Sequence, residues 1–295
     1  MEETPAAQQI PECRPPVRDT RRAALTIPPG SVDCHTHVFA TGYPLVPDRG
    51  YTPPDSTLEQ MLEMHSMLGI DRVVFTQPSV YGTDNSAILD AMAQIPDRAR
   101  AVVAIDASID DRRLSELDSL GARGIRLNLD NVGGMPVTLD QVPALARRIA
   151  ELGWHVEFLF AGHDLPELTP LLSSLPAPVS IGHFGYMPAS EGVGYPPFRA
   201  LLDLVSKGNT WVKLSAPNRL GVGDLPPWPA VIPLAQALIE ANPDRMLWAT
   251  DWPHPNKFGE QPNDADLLEQ LELWAPDEAT RHRILVDNPS AFYRF

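Results

Sequence analysis

From Ser31 onward two kinds of apolar pattern alternate along the chain. One is a short run rich in β-branched and aromatic residues. It recurs as SVDCHTH from Ser31, RVVFTQ from Arg72, RAVVAID from Arg100 and GIRLNL from Gly124. It then returns as HVEFLF from His155, PVSIGHF from Pro178, TWVKLSA from Thr210 and RMLWATDW from Arg245. Such runs predict buried strands. Between them, apolar residues recur every third or fourth position, as in STLEQMLEMHSML from Ser56 and TLDQVPALARRIAEL from Thr138. That spacing predicts amphipathic helices. The strands return every roughly 25–35 residues, the length of a β-α unit.

Eight such units predict an α/β fold, a distorted (β/α)8 TIM barrel formed as one domain by residues 30–295. An open doubly wound sheet is the rival. It is disfavoured because no Gly-rich phosphate loop follows the first strand and polar residues recur at the strand ends all around the chain. Prolines punctuate the pattern, as in PPGS before the first strand and GYPPF after the sixth.

Residues 1–29 are rich in proline and charge and predict a loose, extended or disordered arm. The arm has no apolar stretch of the kind a signal peptide needs, and no run in the chain is long enough for a membrane helix. The cytoplasm is the default expectation. The net charge of −15 repels phosphate backbones and anionic lipid, so a small molecule is the expected partner rather than nucleic acid or membrane. No helix face stands out as a subunit interface, and the oligomeric state is not legible. The two cysteines, Cys13 and Cys34, imply no disulfide framework.

The active face of a barrel lies at the C-terminal ends of its strands. His35 and His37 share one parity there, with Asp33 one layer deeper and Cys34 on the opposite face. His183 follows the sixth strand. Asp251 ends the eighth, which should close the barrel beside the first. Each of these residues has an ordinary structural use by itself. Together they predict three imidazoles around one carboxylate. That set suits activation of water beside a polarised carbonyl, and it also suits a metal. Arg126 and Arg219 stand at strand ends where a guanidinium fork could clamp a carboxylate. Glu157, of inward parity, reads as a buried ion-pair partner. His254, His155 and His163 read as structural, and His65 and His282 as packing or surface residues of helices.

DCHTHVF, SIGHFG and WATDWPHPN resemble the amidohydrolase superfamily, and more closely its branch containing 2-pyrone-4,6-dicarboxylate lactonase. VYGTDN at Val80–Asn85, GARGIRLN at Gly121–Asn128 and PPW at Pro226–Trp228 extend the likeness over nearly the whole chain after the arm. An H-x-H pair alone would be weak; joined to TDWPHPN it is specific. The resemblance implies a lactonase that opens a carboxylated lactone, 2-pyrone-4,6-dicarboxylate-like or muconolactone-like, from aromatic ring-cleavage metabolism. Asp251 would be the general base, and His35, His37 and His183 would hold and polarise the carbonyl. Arg126, Arg219, Tyr51, Ser79 and Asn256 would bind the substrate.

The resemblance also implies that no cofactor is required. Metal-dependent relatives add a histidine at the end of strand five, and often a lysine or glutamate on strand four. Here those strands offer Leu159 and Phe160, and Arg126 and Asn128. A single divalent ion such as zinc on His35, His37, His183 and Asp251 remains chemically open. Sugar-lactone isomerisation, or metal-dependent amide or ester hydrolysis, are the alternatives on the same scaffold. Two positions depart from the branch. A second arginine expected six residues after Arg126 is Val132, and a strand-five tyrosine is Leu159. Both changes loosen the grip on a carboxylate, so a lactone with fewer anionic groups, or a more apolar ring, is expected.

Overall fold

The computed structural model describes residues 10–130 and 136–295. All eight predicted runs form strands, and they follow one another in chain order round a single parallel sheet. The first half is β1 (Val32–Thr36), α1 (Leu58–Leu68), β2 (Arg72–Thr76), α2 (Ser86–Ala93), β3 (Ala99–Val103), α3 (Asp111–Leu120), β4 (Ala122–Asn128) and α4 (Val142–Glu151). The second is β5 (His155–Leu159), α5 (Leu165–Ser174), β6 (Val179–Ile181), α6 (Pro196–Ser206), β7 (Thr210–Ser215), α7 (Ile232–Ala241) and β8 (Met246–Ala249). Three helices close the chain: α8 (Asp264–Trp274), α9 (Glu278–His282) and α10 (Asn288–Tyr293).

Local chemistry sets the ends of these elements. Helix α1 starts where Thr57 and Gln60 cap each other reciprocally, and it stops at Gly69, whose φ of 83° is left-handed. Inside the barrel the register aligns Arg126 with Glu157, Glu157 with Ser180, and Ser180 with Trp211. Lys213 shares the parity of Trp211, so β4, β5 and β7 all send charged side chains into the barrel. Below them, Val32, Cys34, Val74, Val102, Trp211 and Leu247 form an apolar cluster. Helix α10 plugs the lower end: the Phe292 ring lies 4.3 Å from Trp211 and 4.4 Å from His155.

The seam between β8 and β1 is where the structure corrects the reading of β1. Val32 and Cys34 face the interior cluster, and Asp33 turns outward. The register slips between Asp33 and Thr36, which marks a bulge. A bulge breaks the two-residue alternation, so His35 can also reach inward although its neighbour Cys34 does. Among the described residues no regular ladder joins β8 to β1. Asp251 N donates instead to His35 O at 3.0 Å, and His37 N to Trp252 O at 2.8 Å. The buried Asp33 carboxylate completes the seam. Its Oδ1 accepts from His35 N (3.2 Å) and Thr250 N (3.1 Å), and its Oδ2 accepts from Thr250 Oγ1 (2.5 Å) and faces His65 Nε2 of α1 (3.2 Å).

The arm also differs from its expected looseness. Its described part, residues 10–29, lies against the barrel. Thr52 N donates to Pro11 O at 2.8 Å and Cys13 N to Thr52 O at 2.9 Å. Arg21 bonds Glu269 and Asp266 of α8 at 2.6 and 2.5 Å. Proline and charge, which suggested disorder, here supply an extended backbone and its anchors.

Replacing Asp33 by alanine leaves two backbone amides, a hydroxyl and an imidazole without their buried partner. The cost is expected to be about 3–5 kcal/mol in urea unfolding, and a loss below about 1 kcal/mol would show that the seam does not depend on this carboxylate.

Candidate active site

The cluster predicted from the sequence forms at the C-terminal mouth of the barrel. Asp251 Oδ1 lies 3.7 Å from His35 Nε2, 3.6 Å from His37 Nε2 and 3.5 Å from His183 Nε2. All four side chains are buried. His37 and His183 stand just beyond β1 and β6, and Asp251 two residues beyond β8. Two of these residues hold unusual backbone: φ is +67° at Asp251 and +50° at His183. Left-handed conformations cost a non-glycine residue of order 1–3 kcal/mol and persist where surrounding structure enforces them. The bond from Asp251 N to His35 O is part of that enforcement.

Each imidazole has a second partner that orients it. His37 Nδ1 lies 2.7 Å from Thr76 O, which can only accept, so Nδ1 carries the proton and Nε2 presents a lone pair. His183 Nδ1 lies 2.8 Å from Ser215 Oγ, a hydroxyl able to donate or accept, so this bond orients the ring with either nitrogen protonated. His35 Nδ1 lies 3.1 Å from Lys213 Nζ, and Lys213 in turn pairs with Glu157. Burial lowers all three imidazole pKa values, that of His183 to about 3. Lys213 adds to the effect at His35. Burial pushes the Asp251 carboxyl up, but Arg219 and then His183 and His37 outweigh it and hold it well below the usual carboxylate range. The site therefore pairs neutral imidazoles with an ionised aspartate.

Arg219 lines the cavities at the mouth and is also held by Asp251. Its Nε and Nη2 approach Asp251 Oδ2 at 2.8 and 2.7 Å, and Nη2 also donates to Pro255 O at 2.6 Å. It touches both the catalytic candidate and the open chamber. Arg126 Nη1 donates to Gln77 O at 2.7 Å, while its buried Nε has no partner among the described residues. Tyr51, Ser79, Arg126, Asn256 and Leu159 wall a cavity of about 20 Å³ that also touches Asp251. That is room for roughly one water. A wider chamber of about 570 Å³ adjoins it and shares Tyr186, Arg219 and Asn256. The arm reaches this rim, since Asn256 N lies 3.2 Å from Cys13 Sγ. Val132 lies outside the described residues.

Two participants were not singled out in the sequence. Lys213 is one of only three lysines, set in the apolar run TWVKLSA, and that isolation was the available signal. Tyr186 follows His183 through a turn whose rings lie 5.5 Å apart, and nothing in the pattern marked it. His254 and Asp264 form a buried pair at 3.2 Å away from the cluster, and Glu157 is the buried ion-pair partner that its parity suggested. His65 is buried against Asp33 rather than at the surface.

A divalent ion has a chemically suitable donor set here. His35, His183 and Asp251 bring one ligand atom each within 4.8 Å of one another. Arg219 and Lys213, in contact with two of those residues, oppose a further positive charge.

Known proteins share this architecture. A family model described as Amidohydrolase matches residues 32–295. The chain is 38% identical to 4-sulfomuconolactone hydrolase of Hydrogenophaga intermedia, over 98% of this chain and 96% of that protein. It is 37% identical to 2-pyrone-4,6-dicarboxylate hydrolase of Comamonas testosteroni, over 90% of this chain and 91% of that one. An apo crystal structure from Agrobacterium tumefaciens aligns with a TM-score of 0.80 at 32% identity, covering 91% of this chain and 97% of the other.

Histidines kept neutral by burial make stability depend on pH. The unfolded chain takes up protons below about pH 6.5 while the folded one does not. The contribution is therefore fully present above that pH and lost as pH falls towards the folded values, about 3 for His183 and for His155. Urea unfolding is expected to weaken between pH 7 and 5 by on the order of 2 kcal/mol per such histidine. Equal unfolding midpoints at the two pH values would contradict the neutral cluster.

Proposed function

The chain belongs to the amidohydrolase family, and from that premise we propose that it hydrolyses a carboxylated lactone of aromatic ring-cleavage metabolism. The observation that carries this reading is the approach of three imidazole Nε2 atoms to one ionised carboxylate oxygen, 3.5–3.7 Å away, beside a cavity with room for a water. The two hydrolase relatives supply the substrate class.

In this reading the lactone enters through the wider chamber and sets its carbonyl in reach of the histidine cluster, where a ring N–H can donate to it. A water in the inner cavity attacks the carbonyl carbon while Asp251 Oδ1 takes its proton. The carbonyl oxygen gains charge and is met from the histidine side. The tetrahedral intermediate collapses with cleavage of the ring C–O bond. Protonated Asp251 then returns the proton to the leaving oxygen, so atoms and charge balance.

A carboxylate held as acidic as Asp251 is a weak base. An anionic substrate that draws the Arg219 guanidinium towards itself would raise the Asp251 pKa on binding, and so strengthen the base only when substrate is present. Arg126, with no carboxylate partner among the described residues, is the standing clamp for the substrate's anionic group. Tyr51, Ser79 and Asn256 complete the wall. Leu159 leaves that wall apolar on one side, which favours a lactone with a single acid group.

If an ion is bound, His35, His183 and Asp251 would hold it, and it would polarise the carbonyl and acidify the water. The two cations in contact with those residues support the reading in which no metal is required.

The test is turnover by chelator-treated protein on a panel of muconolactone-type monoacid, 2-pyrone-4,6-dicarboxylate and sugar lactones, with and without zinc. Monoacid lactone should be opened fastest, at a rate independent of zinc. Isomerisation of a sugar lactone, or activity restored only by zinc, would replace this reading. Asp251→Asn should lose about 10²–10⁴-fold in kcat with its fold intact by circular dichroism. Arg126→Met should raise KM for the anionic lactone about 10–100-fold, the loss of one charged hydrogen bond, and leave a neutral lactone unaffected. Equal effects on both substrates would remove Arg126 from the clamp.

A further inference from the structure

The three imidazoles are not equivalent, because different groups stand behind them. His37 is backed by a carbonyl oxygen, so it turns a lone pair towards Asp251, whereas His183 is backed by a hydroxyl that suits either tautomer. His35 is backed by a cation. Lys213 Nζ lies 3.1 Å from His35 Nδ1, and the lysine is fully buried with the Glu157 carboxylate as its other partner. Glu157 Oε1 is 3.4 Å from the same Nδ1. An ammonium group can only donate. At 3.1 Å it opposes an N–H on Nδ1 and is nearer than the Glu157 oxygen, which favours a bare Nδ1 that accepts from the ammonium. The proton of a neutral His35 ring then sits on Nε2, the atom 3.7 Å from Asp251 Oδ1.

We propose that Lys213, held in place by Glu157, is a positioning residue that fixes His35 as its Nε2–H tautomer, and so makes His35 the hydrogen-bond donor to the lactone carbonyl. His37 then accepts, and orients a hydrogen of the attacking water. The division of labour follows from the backing groups alone. It also bears on metal binding. Protonated Nε2 offers no lone pair, so the Lys213–Glu157 pair removes His35 from the donor set unless the proton is first displaced. A buried ion pair is a weak source of stability, and fixing a tautomer gives this one a use. The catalytic consequence rests on the lactone-hydrolase reading, whereas the tautomer itself is defined without substrate.

The first test therefore uses no substrate. Protein labelled with 15N-histidine, with His35 assigned by its loss in His35→Asn, should show a protonated Nε2 and an unprotonated Nδ1 at pH 7. A His35 ring protonated on Nδ1 would overturn the proposal whatever the protein hydrolyses. The second uses Glu157→Gln/Lys213→Met, which leaves no buried charge unpaired. The His35 proton should move to Nδ1, facing the amide oxygen introduced on β5, and zinc affinity measured by calorimetry should rise at least about tenfold. On whichever lactone the wild type opens, kcat should fall about 10²-fold, the loss of one donor to a developing oxyanion, with KM little changed. Lys213→Arg, which keeps a cationic donor, should recover part of that kcat. An unchanged tautomer or an unchanged kcat in the folded double variant would refute the role given to Lys213. If the double variant does not fold, the wild-type spectrum still decides.

Discussion

The Asp33 carboxylate holds the last strand against the first, and the site exists because those two strands meet. Strands β4, β5 and β7 send Arg126, Glu157 and Lys213 towards the site, but its nucleus, the His35–His37 pair with Asp251, straddles one seam. Where a regular ladder would run, Asp33 supplies acceptor oxygens to Thr250 and His35 and braces α1 through His65. A side chain can stop short where a carbonyl ladder cannot. The chain beyond β8 is therefore free to take the left-handed turn that aims Asp251 at the rings.

Electrostatics follow from that geometry. Buried charges alternate through the barrel: Glu157, then Lys213, then neutral His35, then Asp251, then Arg219. Each ionised member has an opposite charge on at least one side, which is the condition for keeping ions out of water. The imidazoles remain neutral because burial and the neighbouring cations both penalise a further proton. Arg126 joins this set without a carboxylate of its own among the described residues.

Much of this was legible in the chain. Eight apolar runs at β-α spacing gave the barrel, because parallel strands covered on both faces leave a strong hydrophobic signal. His35, His37, His183 and Asp251 could be brought together on paper because strand ends in a barrel share one face. What parity could not supply was the bulge in β1, since a one-residue slip inverts every later inference about facing. Asp33 and Cys34 were consequently exchanged. The bond from Arg219 to Asp251 was not legible, because it depends on a loop conformation and not on a period. Lys213 was hidden for a related reason: a lone lysine in a strand carries no partner label, and its meaning comes from Glu157 two strands away. The docking of residues 10–29 was not legible, because composition reports the tendency of a free chain and not the grooves available to it.

The inner cavity bears on where the attacking water stands. A space of about 20 Å³ beside Asp251 holds roughly one molecule of that size, and it borders the wider chamber at Tyr186, Arg219 and Asn256. A lactone seated across that border would leave the nucleophile a single berth, on the carboxylate side of its carbonyl.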